Sequence, residues 1–165
     1  MRFVIWKSPW GYMGATASEV GLCSLTLPRE KEEEVWEEIC GDKGPTWWDE
    51  SYFAPLVQEI NDYLRGQKVV FKQPLDWRPL TPFRRKVLQA VAQIPYGEVR
   101  SYKEVGISIG YGRGFQAIGQ ALGANPFPII IPCHRVIASN GTLGGYTGGL
   151  SYKEKLLALE GISIK

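Results

Sequence analysis

The 165 residues include 19 Lys+Arg and 17 Asp+Glu, with 44% apolar and 22% charged side chains, ordinary proportions for a globular protein able to bury a core. No apolar stretch approaches bilayer length, and "MRFVIWKSPWGYMG" has too short an apolar run and no small-residue cleavage site for a signal peptide. Three cysteines, at positions 23, 40 and 133, lack CxxC spacing, which argues against a disulfide framework or a thiolate-rich zinc site and for a reducing cytoplasmic setting.

The net charge of +2 hides an asymmetry. Residues 1–77 hold 8 Lys+Arg and 13 Asp+Glu, a net of −5, whereas residues 78–165 hold 11 and 4, a net of +7. A half this basic suggests a polyanionic partner, although a solvated basic surface has the same composition.

In chain order, "RFVIWKS", "YMGATAS" and "GLCSLTL" are short runs separated by turn residues, as in an antiparallel meander. "REKEEEVWEEI" reads as an acidic helix stopping near Gly41, and "WWDESYFAPLVQEINDYLRG" carries a second helix ending at Gly66. "KVVF" is a candidate closing strand, and the loop from Gln73 to Pro79 separates two lobes. The expected first domain, residues 1–77, is thus a small antiparallel sheet with helices. Its tryptophans and tyrosines read as core and interface filler.

The second domain, residues 78–165, is expected to be mainly helical. Thr81 is a plausible N-cap with Pro82 at the first helical position, and Phe83, Val87, Ala90, Val91 and Ile94 form one apolar face. Ser101 and Glu104 have capping-box spacing at the head of "SYKEVGISIG". After the glycine-rich "GYGRG" comes "FQAIGQALGA", a short helix with small residues along one side. Two short helices around a glycine turn match a helix-turn-helix, or else an ordinary helical hairpin. "LSYKEKLLALEGI" closes the chain as a helix capped by Ser151 and Glu154 and ended by Gly161.

Between these helices lies "NPFPIIIPCHRVI", where the chain's single histidine, His134, follows Cys133. An apolar run of this kind normally becomes buried strand. A free cysteine has a pKa of about 8.5, so little of it is thiolate at neutral pH, and a neighbouring base can generate the nucleophile. Adjacency alone does not provide this, because successive strand side chains face opposite ways. Contact requires a turn at Pro132–Cys133 or a bridging water. A bare Cys-His pair is compatible with a buried structural cysteine beside a hydrogen-bonded histidine.

The wider context is more specific. "NPFPIIIPCHRVI", with "GGYTGGL" and "LLALEG" downstream, closely resembles the active-site segment of the O6-alkylguanine-DNA alkyltransferases, the methylated-DNA–protein-cysteine methyltransferases. The resemblance runs from "TPFRRKVLQAVAQIPYGEVRSYKEV" to "LEG", and the first lobe is compatible with the family's variable N-terminal α/β domain. It implies that Cys133 accepts the alkyl group, that His134 takes the thiol proton through a water, and that Glu160 orients the imidazole. Asn125 would hinge the recognition helix to the site. Tyr146 and Thr147 would hydrogen-bond the flipped guanine, Pro128 would pack against it, and the backbone at Cys133 and Val136 would read its amino group. Tyr102 would press on the phosphate, while Arg113, Gly114, Gln116, Ala117, Gly119 and Arg135 would meet DNA.

Where the family usually carries an arginine that fills the vacated base stack, this chain has Gln116, with Arg113 three residues earlier as a possible substitute. The implied partner is double-stranded DNA containing O6-alkylguanine, engaged by a monomer without metal, cofactor or membrane. The expected compartment is the cytoplasm, at the nucleoid, or the nucleus in a eukaryote. A lesion sensor that flips bases without transfer, or a cysteine hydrolase, are the competing classes. Cys133 argues against the first and the basic helix pair against the second.

Overall fold

Phe3, Val4 and Ile5 are consecutive and all buried, the pattern of a strand covered on both faces. The computed structural model describes residues 1–40, 47–146 and 148–164. β1 (Arg2–Ser8) pairs antiparallel with β2 (Gly11–Ala17), which pairs antiparallel with β3 (Leu22–Leu25). Phe3 and Ile5 cluster with Val35 of α1 (Glu32–Cys40), flanked by Tyr12 and Ile39. A Cβ at Gly14 would collide with Ile39 and Val35, so this glycine lets α1 lie against β2. On the other face of β1, Trp6 donates its indole N–H to Asn61 of α2 (Glu50–Leu64) at 3.0 Å. The expected end of α1 at Gly41 lies outside the described residues.

Three expectations for this unit change. The sheet is mixed rather than antiparallel: β4 (Trp47–Trp48) runs parallel to β1, giving the order β3-β2-β1-β4. A parallel pair needs a long crossover, and the intervening chain with α1 supplies it. "KVVF" forms no strand, and Val70 is 72% exposed. The edge of β3 is instead bridged at Leu75, where Leu22 N–H donates to the Pro74 carbonyl and Asp76 N–H to that of Leu22, each at 2.8 Å. Finally, Trp36, Trp47 and Trp48 are not core filler but 38%, 51% and 45% exposed. Trp36 and Trp48 pack edge-on against Phe3, with ring centroids 5.5 and 5.4 Å away.

The chain divides into two compact units, Met1–Trp77 and Arg78–Lys165. In the second, α3 (Pro82–Val91) starts where the Thr81 hydroxyl accepts the Arg84 N–H at 3.2 Å, and it buries Val87, Leu88 and Val91. β5 (Arg100–Ser101) runs directly into α4 (Tyr102–Ser108) through a complete capping box between Ser101 and Glu104. β5 pairs in parallel with β6 (Val136–Ile137), which sets the first turn of α4 beside the Cys-His segment. α5 (Gln116–Gly123) turns Ile118, Ala121 and Leu122 inward.

α6 (Leu150–Leu159) begins at Gly149 rather than Ser151. With φ at +98°, Gly149 turns the chain, and its carbonyl takes the N–H groups of Tyr152 and Lys153 at 3.2 and 3.3 Å. Ser151 therefore lies inside the first turn, where it cannot cap. Among the described residues no helix is long and apolar enough to cross a membrane.

Candidate active site

The apolar run before Cys133 does not become strand. Ile129, 1% exposed, holds φ at +74°, a conformation that costs a β-branched residue about 1–3 kcal/mol. Pro132, at φ −79° and ψ 64°, is the centre of an inverse γ-turn in which Cys133 N–H donates to the Ile131 carbonyl at 2.8 Å. A 3-10 turn follows over Cys133–Arg135. Side chains in such a turn are roughly 120° apart rather than alternating, so neighbours in sequence can serve one site.

Cys133 is 8% exposed. Asn125, just past the end of α5, donates from Nδ2 to its Sγ at 3.3 Å and to the Ile131 carbonyl at 3.1 Å, while Asn125 Oδ1 accepts the Phe127 N–H at 2.9 Å. One amide thus ties the helix end to the γ-turn and to the sulfur. Burial pushes the thiol pKa up, opposed by the hydrogen bond from Asn125, by Tyr146 and by the charge of Lys153. The resting group is therefore a thiol that needs a base.

His134 is fully buried, with Nε2 2.7 Å from Glu160 Oε2. Burial lowers the imidazole pKa and the hydrogen bond to Glu160 opposes it, so the ring rests neutral. An ionised carboxylate only accepts, so Nε2 carries the hydrogen and Nδ1 is the basic nitrogen. Burial alone would raise the Glu160 carboxyl, but hydrogen bonds from His134, from Arg135 and from the Gly97 N–H bring it down to about 2.

Arg135, expected at the DNA face, is buried instead. Its guanidinium holds Glu160 Oε1 at 2.8 Å and Oε2 at 3.0 Å, and the Ile94 carbonyl at 2.7 Å. The 3-10 turn swings Arg135 towards the C-cap of α6, where a carboxylate and a carbonyl replace its hydration.

Tyr146 lies on the loop before α6. Its hydroxyl is buried and faces the Cys133 thiol closely enough for each to influence the other's ionisation. Burial raises the phenol pKa, which keeps Tyr146 a proton donor. Thr147 lies outside the described residues. Pro128 is half-buried. The Cys133 carbonyl accepts the Val136 N–H and the Val136 carbonyl accepts from Lys153, each keeping a second lone pair. The Tyr102 hydroxyl donates to the Gly145 carbonyl at 3.2 Å.

Arg113, Gly114 and Gln116 are exposed, and Ala117 and Gly119 are half-buried. A Cβ at Gly119 would meet nothing within 4 Å among the described residues, so no contact with them demands a glycine there. A mid-helix glycine costs about 1 kcal/mol relative to alanine.

Lys153 escaped the sequence reading. It is fully buried in α6, and its Nζ donates to carbonyls of Val136, Leu143 and Gly145. The available signal was spacing: Lys153, Leu156, Leu157 and Glu160 fall on one helical stripe, and all four are buried.

The chain matches two family models in tandem. Residues 1–77 match the ribonuclease-like domain of 6-O-methylguanine DNA methyltransferase, and residues 82–162 match its DNA binding domain. A methylated-DNA–protein-cysteine methyltransferase of Methanosarcina barkeri is 39% identical over 97% of both chains. One from Mycolicibacterium paratuberculosis is 45% identical over 70% of each. The crystal structure of Mycobacterium tuberculosis OGT in complex with DNA superposes with a TM-score of 0.80 at 35% identity, covering 98% of this chain and 93% of that one. With both halves matched in order and a buried Cys-His-Glu constellation in the second, the chain belongs to the 6-O-methylguanine DNA methyltransferase family.

Proposed function

We propose that this chain repairs O6-alkylguanine in duplex DNA by transferring the alkyl group to Cys133 once per molecule. The observation that carries this reading is the buried His134–Glu160 pair, 2.7 Å apart, beside a thiol that burial keeps protonated. The thiol proton passes through a water to His134 Nδ1, and Glu160 stabilises the imidazolium that forms. The thiolate attacks the alkyl carbon: an S–C bond forms, the C–O6 bond breaks, and the electron pair leaves on guanine. Tyr146 and Thr147 share the role of hydrogen-bonding that developing anion. The thioether has no good leaving group, so water does not restore the thiol.

A stacked guanine is unreachable, so the base must be extruded at a cost of a few kcal/mol. α4 and α5 act as a helix-turn-helix, with α5 entering the minor groove where Ala117 and Gly119 allow close approach. Gln116, or Arg113 in its stead, would fill the vacated stack, and Tyr102 would press on the phosphate. Arg135 and Lys153 are internal and Glu160 neutralises one of them, so +6 of the unit's +7 remains for the DNA face. Residues 78–165 thus carry both DNA binding and chemistry, in a monomer, with residues 1–77 as an α/β companion domain. Three free cysteines and a DNA substrate fit the reducing cytoplasm or nucleus.

The test is a count. With excess O6-methylguanine duplex, each molecule should gain one methyl group, mapped to Cys133, and then stop. Cys133→Ser should bind duplex and transfer nothing. Repeated turnover, or methyl groups on Cys23 or Cys40, would sink the assignment.

A further inference from the structure

Lys153 is a buried cation that the proposed chemistry does not use. An ammonium has three N–H donors, and burying it is costly unless all three are satisfied. Here they are: Val136 O at 2.6 Å, Gly145 O at 3.0 Å and Leu143 O. The first acceptor lies just after the Cys-His turn, and the other two lie on the loop leading to Tyr146. The Tyr102 ring of α4 covers the ammonium at 5.7 Å, and its hydroxyl shares the Gly145 carbonyl at 3.2 Å. A Cβ at Gly144 would strike that ring. The loop's own backbone bonds, Ala138–Thr142, Gly141–Ala138 and Gly149–Tyr146, close on the loop itself.

We propose that Lys153 is a positioning residue that pins the Leu143–Gly145 stretch to β6 and α4, thereby holding Tyr146 over Cys133. This rests on the alkyl-transfer reading, in which Tyr146 meets the extruded base. The titratable groups facing the ammonium are Cys133 and His134 of the 3-10 turn and Tyr102 of α4, with Tyr146 of the loop next to the thiol. Burial lowers the Lys153 pKa to about 8, and a thiolate at Cys133 would raise it. The pin is therefore charged at neutral pH and loses a donor as pH rises through about 8.

The test separates shaping the pocket from activating the sulfur. Lys153→Met keeps the length of the side chain and removes every donor, and Lys153→Arg restores donors. At neutral pH, Lys153→Met should slow single-turnover transfer from O6-methylguanine duplex about 100-fold, the scale expected for misplacing a group by about 1 Å. Labelling of Cys133 by iodoacetamide, which needs no base pocket, should rise several-fold as the loop loosens when compared at equal thiolate fraction, since the Lys153 charge also lowers the thiol pKa. Amide hydrogen exchange over residues 138–149 should rise with it, and Lys153→Arg should partly reverse all three. In the unaltered protein, the same exchange, corrected for its intrinsic pH dependence, should step up as pH passes about 8. Parallel losses of transfer and iodoacetamide labelling would assign Lys153 to thiol activation and overturn the proposal. So would an unchanged loop in Lys153→Met. If that variant does not fold, a flat exchange profile across pH 8 in the unaltered protein would overturn it. If the unaltered protein transfers no methyl group while loop and labelling respond as stated, the functional reading fails and the pin stands.

Discussion

Replacing Glu160 with glutamine exchanges one oxygen for an amide and removes a charge on which four donors converge. The His134 imidazole, two guanidinium nitrogens of Arg135 and the Gly97 N–H reach this carboxylate at 2.7, 2.8, 3.0 and 3.0 Å. Its pKa is about 2 in the folded chain against an ordinary 4.5, and its side chain is 0% exposed, so little solvent screening applies. A lowering of that size corresponds to about 3 kcal/mol of stability at neutral pH. Because the folded value lies below the unfolded one, this contribution is complete above pH of about 4.5 and is lost as pH falls towards 2. The amide also leaves the buried Arg135 charge unpaired, a loss of about 3–5 kcal/mol.

Glu160→Gln should therefore lower the melting temperature by roughly 6–20 °C at pH 7, given about 2–4 °C per kcal/mol for a chain of this size. The penalty should shrink as pH approaches 2, where the unaltered carboxyl has itself begun to protonate. Transfer should fall by about 100-fold or more at pH 7, because His134 loses the partner that fixes its tautomer, and should partly recover as pH nears the thiol's own pKa. Thermal unfolding across pH 2–8, paired with single-turnover kinetics across pH 6–10, provides both measurements. An unchanged acid slope would refute the carboxylate accounting, and an equal rate loss at every pH would reduce Glu160 to a structural role.

The DNA face yields three further expectations. Gly119→Leu should leave thermal stability within about 1 kcal/mol, since the position opens to empty space, yet abolish duplex repair; retained repair would remove α5 from the groove. Affinity for undamaged duplex should fall steeply with salt, because a basic unit that neutralises phosphates releases their counterions. Salt-independent binding would contradict the assigned face. Gln116→Arg should speed repair of duplex while barely changing reaction with free O6-benzylguanine, because only the duplex has a gap to fill. If Arg113 already fills that gap, Arg113→Ala will impair the duplex reaction selectively. Indifference of the duplex rate to both changes would show that this helix is not the intercalating element.

The sequence by itself determined most of what is coded within one or two turns of chain, the start of α6 at Gly149 rather than Ser151 being the exception. Thr81-Pro82, the Ser101–Glu104 box and Gly161 mark helix ends because caps are local hydrogen bonds or local backbone angles. The residue types around Cys133, His134 and Glu160 were equally legible, since the chemistry depends on their identities. Their geometry was not. Whether the apolar run before Cys133 became strand or turn was decided by Ile129, Pro132 and the Asn125 amide that reaches back from α5. The parallel seat of β4 beside β1, and the loss of "KVVF" as a strand, came from competition for sheet edges between distant segments. Arg135 and Lys153 show the same limit most clearly. A long cation in sequence looks like surface charge, and it is internal here only because the fold gathers acceptors from residues 94 and 160 around one, and from residues 136, 143 and 145 around the other. Burial of charge is set by which acceptors converge in three dimensions, and no local pattern encodes that convergence.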